Sequence, residues 1–236
     1  MAIRLTKLIP HKLGVNINKV FSEFVGTLVL VATVVGSGIM ATNLSEDIGI
    51  QLLINTVATV SVLIVLISIF QSISGAHFNP AVTLIEVIQR RVEPKQASIF
   101  VIAQFLGGIA GVALAHTMFD LEIFSQSETI RTGSNIFISE VVATAGLIFV
   151  INILIAQKNT FLIPTLVGLW IGAGYLFTAS TSFANPAVTL ARNFTNSFSG
   201  ISPDSVLMFI YAQLIGALIG LLLVKLLMNR SKDVSS

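Results

Sequence analysis

The sequence predicts an all-α membrane protein with six transmembrane helices plus two re-entrant half-helices, arranged as an inverted repeat. Three observations carry this prediction. The chain has 236 residues, 54% hydrophobic and only 10% charged, with a mean hydropathy of +0.92. A soluble domain needs roughly 25% charged residues to cover its surface, so most of this surface must face lipid. Six apolar stretches each reach the roughly 20 residues that cross a bilayer core. One hexapeptide, Asn-Pro-Ala-Val-Thr-Leu, occurs twice.

The predicted spans are Val20–Ala41, Ile50–Phe70, Gln96–Thr117, Asn135–Ala156, Phe161–Ser180 and Ser205–Leu227. The first is too long and lacks the small-residue flank of a cleaved signal, so it reads as a retained membrane helix. Two further stretches, Asn79–Ile88 and Asn185–Phe194, are apolar but too short to span. Each begins with Asn-Pro and lies between spanning segments, as a half-helix entering the membrane partway would.

Lys and Arg concentrate in cytoplasmic loops. Lys7, Lys12 and Lys19 precede the first span, Arg90, Arg91 and Lys95 lie between spans two and three, and Lys158 lies between four and five. Lys225, Arg230 and Lys232 close the chain. With six spans all of these fall on one side, and the opposite loops carry Glu46, Asp47, Asp120, Glu122, Glu128 and Asp204. Only Arg131 and Arg192 break the pattern. Both termini are therefore expected in the cytoplasm.

The chain repeats itself in order. Ser22-Glu23-Phe24-Val25 echoes Ser139-Glu140-Val141-Val142, Asn79 to Leu84 is identical to Asn185 to Leu190, and Ala103-Gln104 echoes Ala212-Gln213. The offsets are 117, 106 and 109 residues. Each half holds an odd number of spans, so the halves should be inverted, with the functional site at their interface near the midplane. We expect one domain over 1–236, with repeats at about 20–117 and 135–228 and a linker at about 118–134, its polar stretch being Ser125–Ser134.

Non-helical backbone at membrane depth is tolerated only inside protein or beside water. Asn is a good N-cap and Pro suits the first helical position. Asn79-Pro80-Ala81 and Asn185-Pro186-Ala187 therefore predict two half-helices meeting N-terminus to N-terminus. Their dipoles place roughly half an elementary charge of positive sign each at the midplane, before screening. The two Asn amides can donate into the same place. Water or a hydroxyl would offer its oxygen there, whereas a cation would meet a barrier. One such tripeptide is as readily a plain helix start; two, symmetrically placed, point to a pore. Thr83 and Thr189 are expected to pack only.

The chain resembles the aquaporin and aquaglyceroporin (major intrinsic protein) family over nearly its whole length. The run Ser74-Gly75-Ala76-His77-Phe78-Asn79-Pro80-Ala81-Val82-Thr83 looks like the family's first pore loop. The resemblance implies an aquaporin-like fold and a homotetramer with one pore per subunit. It also implies that Glu23 and Glu140 accept hydrogen bonds from pore-loop N–H groups. The alternative is that Glu23, near its helix start, reaches the interface. By the same resemblance His77 lines the pore, and the carbonyls of Gly75, Ala76, His77, Ser182, Phe183 and Ala184 form a ladder of acceptors beside it. The Gly107, Gly108, Gly111 and Gly216, Gly220 patterns read as close helix packing.

The chain departs from the family at its narrowest point. Most members carry Arg directly after the second Asn-Pro-Ala; here Val188 stands there. Thr59 takes a place usually aromatic, and Ser182 takes the third. The helix-five position is Ala173 by straight counting and Tyr175 if the loop is two residues shorter. Losing a guanidinium removes five fixed donors and a charge, so a wider, less cationic mouth is expected. Arg192, four residues on, lies about 40° round the helix and about 6 Å further out. It either lines the outer vestibule or pairs at the half-helix C-terminus.

These features predict a passive channel for water and small uncharged solutes, with polyols such as glycerol the expected class. The second loop, Phe183-Ala184-Asn185-Pro186-Ala187-Val188-Thr189 followed by Ala191-Arg192, is similar to that of bacterial members associated with uncharged arsenic species. It adds arsenite to the candidate solutes. A secondary active transporter is the alternative, with Glu23 and Glu140 as its only midplane carboxylates; a junctional scaffold is a third reading. No nucleophile–base set or metal-ligand cluster is visible, so no enzyme activity, metal or cofactor is expected. The chain lacks cysteine, and its net charge of +2 offers no nucleic-acid surface. The expected setting is the bacterial inner membrane.

Overall fold

The computed structural model describes residues 16–233, and side chains as far as 228. Lys7, Lys12 and the side chains of Arg230 and Lys232 fall outside what is described. Eight α-helices make up the described chain: α1 Ile17–Leu44, α2 Ile48–Phe70, α3 Pro80–Ile88, α4 Pro94–Met118, α5 Ser134–Ala156, α6 Ile163–Phe177, α7 Pro186–Ala191 and α8 Pro203–Asp233. Six stretches are long and apolar enough to cross a membrane: α1, α2, α4, α5, Thr160–Phe177 and Pro203–Met228. All six predicted spans are present. The fifth ends three residues early, at Phe177. There Thr178 Oγ1 donates to the Gly174 carbonyl and Ser180 turns inward to Glu140. Side chains such as Leu53, Ile69, Leu106, Leu169, Leu218 and Leu222 are exposed on the outer faces of these helices. On a soluble protein that surface would be an adhesive patch; in a bilayer it is the wetted face.

The closest helix pairs are α1 with α4 and α5 with α8, and glycine makes them possible. A Cβ on Gly107 would lie 2.4 Å from the Phe24 carbonyl oxygen, and one on Gly111 would lie 2.4 Å from that of Leu28. In the other half the same clashes fall on Gly216 against Val141 and Gly220 against Ala145, at 2.5 and 2.3 Å. Backbones this close gain dispersion contacts that lipid cannot supply. α2 packs on α1 and α6, and α6 on α5. Trp170 of α6 fills the space over Gly146 and donates Nε1–H to the Ala143 carbonyl at 2.9 Å. The short helices α3 and α7 sit inside this ring, each against α4 and α8.

Candidate functional site

The two half-helices begin in the same way. Asn79 and Asn185 are extended N-caps, each followed by Pro in the first helical turn. Asn79 Oδ1 accepts from Ala81 N–H at 2.8 Å, and Asn185 Oδ1 from Ala187 N–H at 2.9 Å. Each amide then crosses to the other half. Asn79 Nδ2 donates to the Ala184 carbonyl at 2.8 Å, and Asn185 Nδ2 donates to the Phe78 carbonyl at 2.8 Å. Each –NH₂ has two protons, so one remains on each Asn for another acceptor. The two helix starts therefore brace one another and leave two donors at their meeting point.

The loops that enter these helices are strained and held. Ala76 and Phe78 in the first loop, and Ser182 and Ala184 in the second, have φ between 47° and 53°. Non-glycine residues pay for that conformation. Two buried carboxylates fix it. Glu23 accepts from Ser74 Oγ, His77 N–H, Phe78 N–H and Gln104 Nε2, at 2.6 to 3.0 Å. Glu140 accepts from Ser180 Oγ, Phe183 N–H, Ala184 N–H and Gln213 Nε2, also at 2.6 to 3.0 Å. Four donors per carboxylate offset much of the cost of burial. Neither carboxylate lines the cavity described next.

Gln104 and Gln213 extend this network. Each Nε2 also donates to a threonine hydroxyl, Thr83 or Thr189. Those hydroxyls donate in turn to the Asn79 and Asn185 carbonyls. The threonines, expected only to pack, thus tie each half-helix to a spanning helix. Because the Thr83 proton is already used, His77 Nδ1, 3.0 Å away, must be the donor to it. Nε2 of a neutral His77 is then an acceptor. Four members of this network, Gln104, Gln213, Ser74 and Ser180, were missed from sequence. The repeated Ala-Gln pair was the available signal.

A cavity of about 290 Å³ runs between the loops. The half-helices line it with one face each: Asn79, Val82 and Glu86 from α3, and Asn185, Val188 and Arg192 from the second. Steps of three and four residues are the helical period, and the two sets are offset by the same 106 residues as the hexapeptides. Arg192 therefore stands where Glu86 stands in the other half. Pro80, Ala81, Pro186 and Ala187 lie behind this face, buried. Gly75, Ala76, His77, Ser182, Phe183 and Ala184 all line the cavity, together with Phe78, which sequence reasoning left out.

The Thr59 and Tyr175 hydroxyls lie 3.3 Å apart, and Thr59, Ser182, Val188 and Tyr175 all line the cavity together with Arg192. Ala173 does not: it is exposed, two residues and about 200° of helical turn from Tyr175. Arg192 is buried, its guanidinium carbon 3.4 Å from the Phe183 ring centroid, and its Nε donates to the Ser199 carbonyl. Its Nη1 is buried without a hydrogen-bond partner, as is Ser182 Oγ. At the other mouth Glu86 is paired with Arg91, whose Nε and Nη2 lie 2.7 and 2.6 Å from the two carboxylate oxygens. Outside the spans, burial holds the Arg131 guanidinium below its ordinary value, while Tyr175 and Glu140 act to raise it.

Comparison with known proteins agrees with this geometry. The family model described as "Major intrinsic protein" matches residues 12–183 and 177–236. The chain is 48% identical over 213 residues to Aquaglyceroporin AqpS of Rhizobium meliloti, covering 90% of this chain and 91% of the relative. It is 28% identical to an aquaglyceroporin of Toxoplasma gondii, over 88% of this chain and 78% of that one. The X-ray structure of the aquaglyceroporin from Plasmodium falciparum shares the fold, with a TM-score of 0.64 at 22% identity over 86% of this chain and 93% of that one. The chain belongs to the major intrinsic protein family, whose members are membrane channels and not enzymes.

Proposed function

We propose that the cavity is a passive pore for water and glycerol-sized uncharged solutes, arsenite included. The observation that carries this reading is the pair of braced Asn amides at its centre, opening onto a constriction without the usual Arg. At the centre, the spare protons of Asn79 and Asn185 offer donors to an oxygen passing in single file. Both half-helices point their N-termini there, so a cation meets positive potential from each. The contribution of α7, with six residues, is the smaller.

At the constriction, Ser182 Oγ and Arg192 Nη1 are buried polar atoms without a hydrogen-bond partner, and Val188 is apolar. A polyol has hydroxyls on one side and C–H on the other, and it matches both. Val188 occupies less room than Arg would, so the selection for water alone is relaxed. Arsenite, As(OH)₃, presents hydroxyls in a similar volume. The name of the Rhizobium meliloti relative, an aquaglyceroporin, supports the solute class.

Transport coupled to an ion gradient fits less well. A coupling carboxylate must be reachable from the pore and exchange partners. Glu23 and Glu140 each hold four donors and sit behind the loops. We further propose that both termini are cytoplasmic, which puts Arg90, Arg91, Lys95 and Lys158 on the inside. The Glu86 mouth is then cytoplasmic and the Arg192 mouth external. The two halves act as inverted repeats around the Asn pair, and four copies assemble in the bacterial inner membrane with one pore each.

Stopped-flow light scattering of proteoliposomes with water, glycerol, urea and arsenite gradients tests this reading. Rapid dissipative glycerol entry, without an ion gradient, is the expected result. Accumulation of solute only against an imposed ion gradient would replace the channel with a transporter.

A further inference from the structure

We propose that Arg131, in the segment joining the two halves, is a positioning residue for the outer constriction and acts through Arg192. The inference rests on the reading of Arg192 as part of that constriction.

Three consecutive carbonyls in the loop before α8 accept from two guanidiniums. Arg192 Nε takes the middle one, Ser199. Arg131 takes its two neighbours, with Nε 2.9 Å from the Gly200 oxygen and Nη2 3.4 Å from that of Phe198. Arg131 N–H also donates to Ser205 Oγ at 3.0 Å, at the start of α8. The planar fork of Arg131 thus straddles the carbonyl that anchors Arg192. Both side chains lie over the same ring: the Arg131 guanidinium carbon is 5.4 Å from the Phe183 centroid, and that of Arg192 is 3.4 Å away.

The surrounding backbone leaves this loop little freedom. Ser127 N–H donates to Asn193 O at 2.9 Å, Ser202 N–H to Thr129 O at 2.7 Å and Ile201 N–H to Arg192 O at 3.2 Å. Gly200 must be glycine, because a Cβ there would lie 2.4 Å from the Thr195 backbone carbonyl oxygen. Glu86 with Arg91 is the only ion pair among the described residues, so no carboxylate at salt-bridge distance holds either outer guanidinium. What aims the unpartnered Arg192 Nη1 is the stack on Phe183 and the Ser199 carbonyl, and Arg131 fixes that carbonyl from both sides. Arg suits this task and Lys does not: a single ammonium lacks the rigid fork that holds two acceptors at a set separation.

The test uses the full chain in proteoliposomes, measuring xylitol and glycerol permeability as ratios to water permeability. Ratios cancel differences in insertion. The variants are R192A, R131A, R131K and the double variant R131A/R192A. We expect R192A to lower the xylitol-to-water ratio about fivefold, the effect of about 1 kcal/mol, because it removes a donor that a polyol hydroxyl would meet. R131A and R131K should both shift it the same way, by roughly two- to threefold, and R131A should add nothing in the R192A background. If R192A moves the ratio but R131A and R131K leave it at the wild-type value, the inference is wrong. It is also wrong if R131A has its full effect in the R192A background, since Arg131 would then act independently. If R192A itself does nothing, the underlying reading of the constriction fails first. Should R131A not insert folded, R131K carries the same comparison.

Discussion

Tyr175 donates its hydroxyl proton to Thr59. The two oxygens are 3.3 Å apart, and the Thr59 proton is committed to the Asn55 carbonyl at 2.8 Å, so the direction is fixed. The tyrosine oxygen then faces the cavity as an acceptor. Tyr175→Phe removes that acceptor and leaves Thr59 short of a donor. Stability should fall by about 1 kcal/mol or less, and glycerol permeability should fall relative to water. Thermal unfolding in detergent and stopped-flow flux check the two effects.

Val188→Arg adds bulk and a second guanidinium at the constriction. Polyol flux should drop more than water flux, because a guanidinium narrows the passage to solutes wider than water. Equal reduction for glycerol, urea and water would show that position 188 is not where solutes are sorted.

Replacing a loop-holding carboxylate is expected to cost far more than changing a filter residue. Glu140→Gln keeps the shape but turns an N–H toward Phe183 N–H, Ala184 N–H or Gln213 Nε2. Buried donors are then left facing a donor, a loss of about 1–3 kcal/mol for each one left unsatisfied. Glu23→Gln should behave alike, since its bonds are the same set. Yield of monodisperse protein and its unfolding temperature are the readouts.

Glycines at the helix crossings provide an internal control. Gly216→Ala places a methyl 2.5 Å from the Val141 carbonyl, whereas at Gly36 the nearest atom, Phe119 Cε2, is 3.4 Å away. The first should destabilise by about 1–3 kcal/mol through forced separation of α5 and α8. Gly36→Ala should be close to neutral.

Much of the fold was legible in the sequence because lipid imposes length and composition on every span. The two half-helices were legible for another reason: Asn-Pro carries its own capping geometry, and the repeat supplied a second copy. The finer site was less so. Counting cannot decide between Ala173 and Tyr175, because the length of the non-helical stretch after Phe177 is set by Ser180 binding Glu140 and not by any local pattern. Gln104 and Gln213 look like ordinary polar residues in a helix until their partners Glu23 and Glu140 are brought beside them. The correspondence of Arg192 with Glu86 was within reach, since both stand seven residues after their Asn. It becomes meaningful only once both side chains are seen to face one cavity.

The central claim is that paired amides at the half-helix starts pass neutral solutes and stop ions. One experiment tests it most directly: proteoliposomes loaded with a pH-sensitive dye, given a glycerol gradient and then a proton gradient. The account predicts rapid glycerol-driven reswelling with proton flux no higher than in protein-free vesicles. Glycerol entry no faster than in protein-free vesicles, or proton flux rising together with it, would contradict the account.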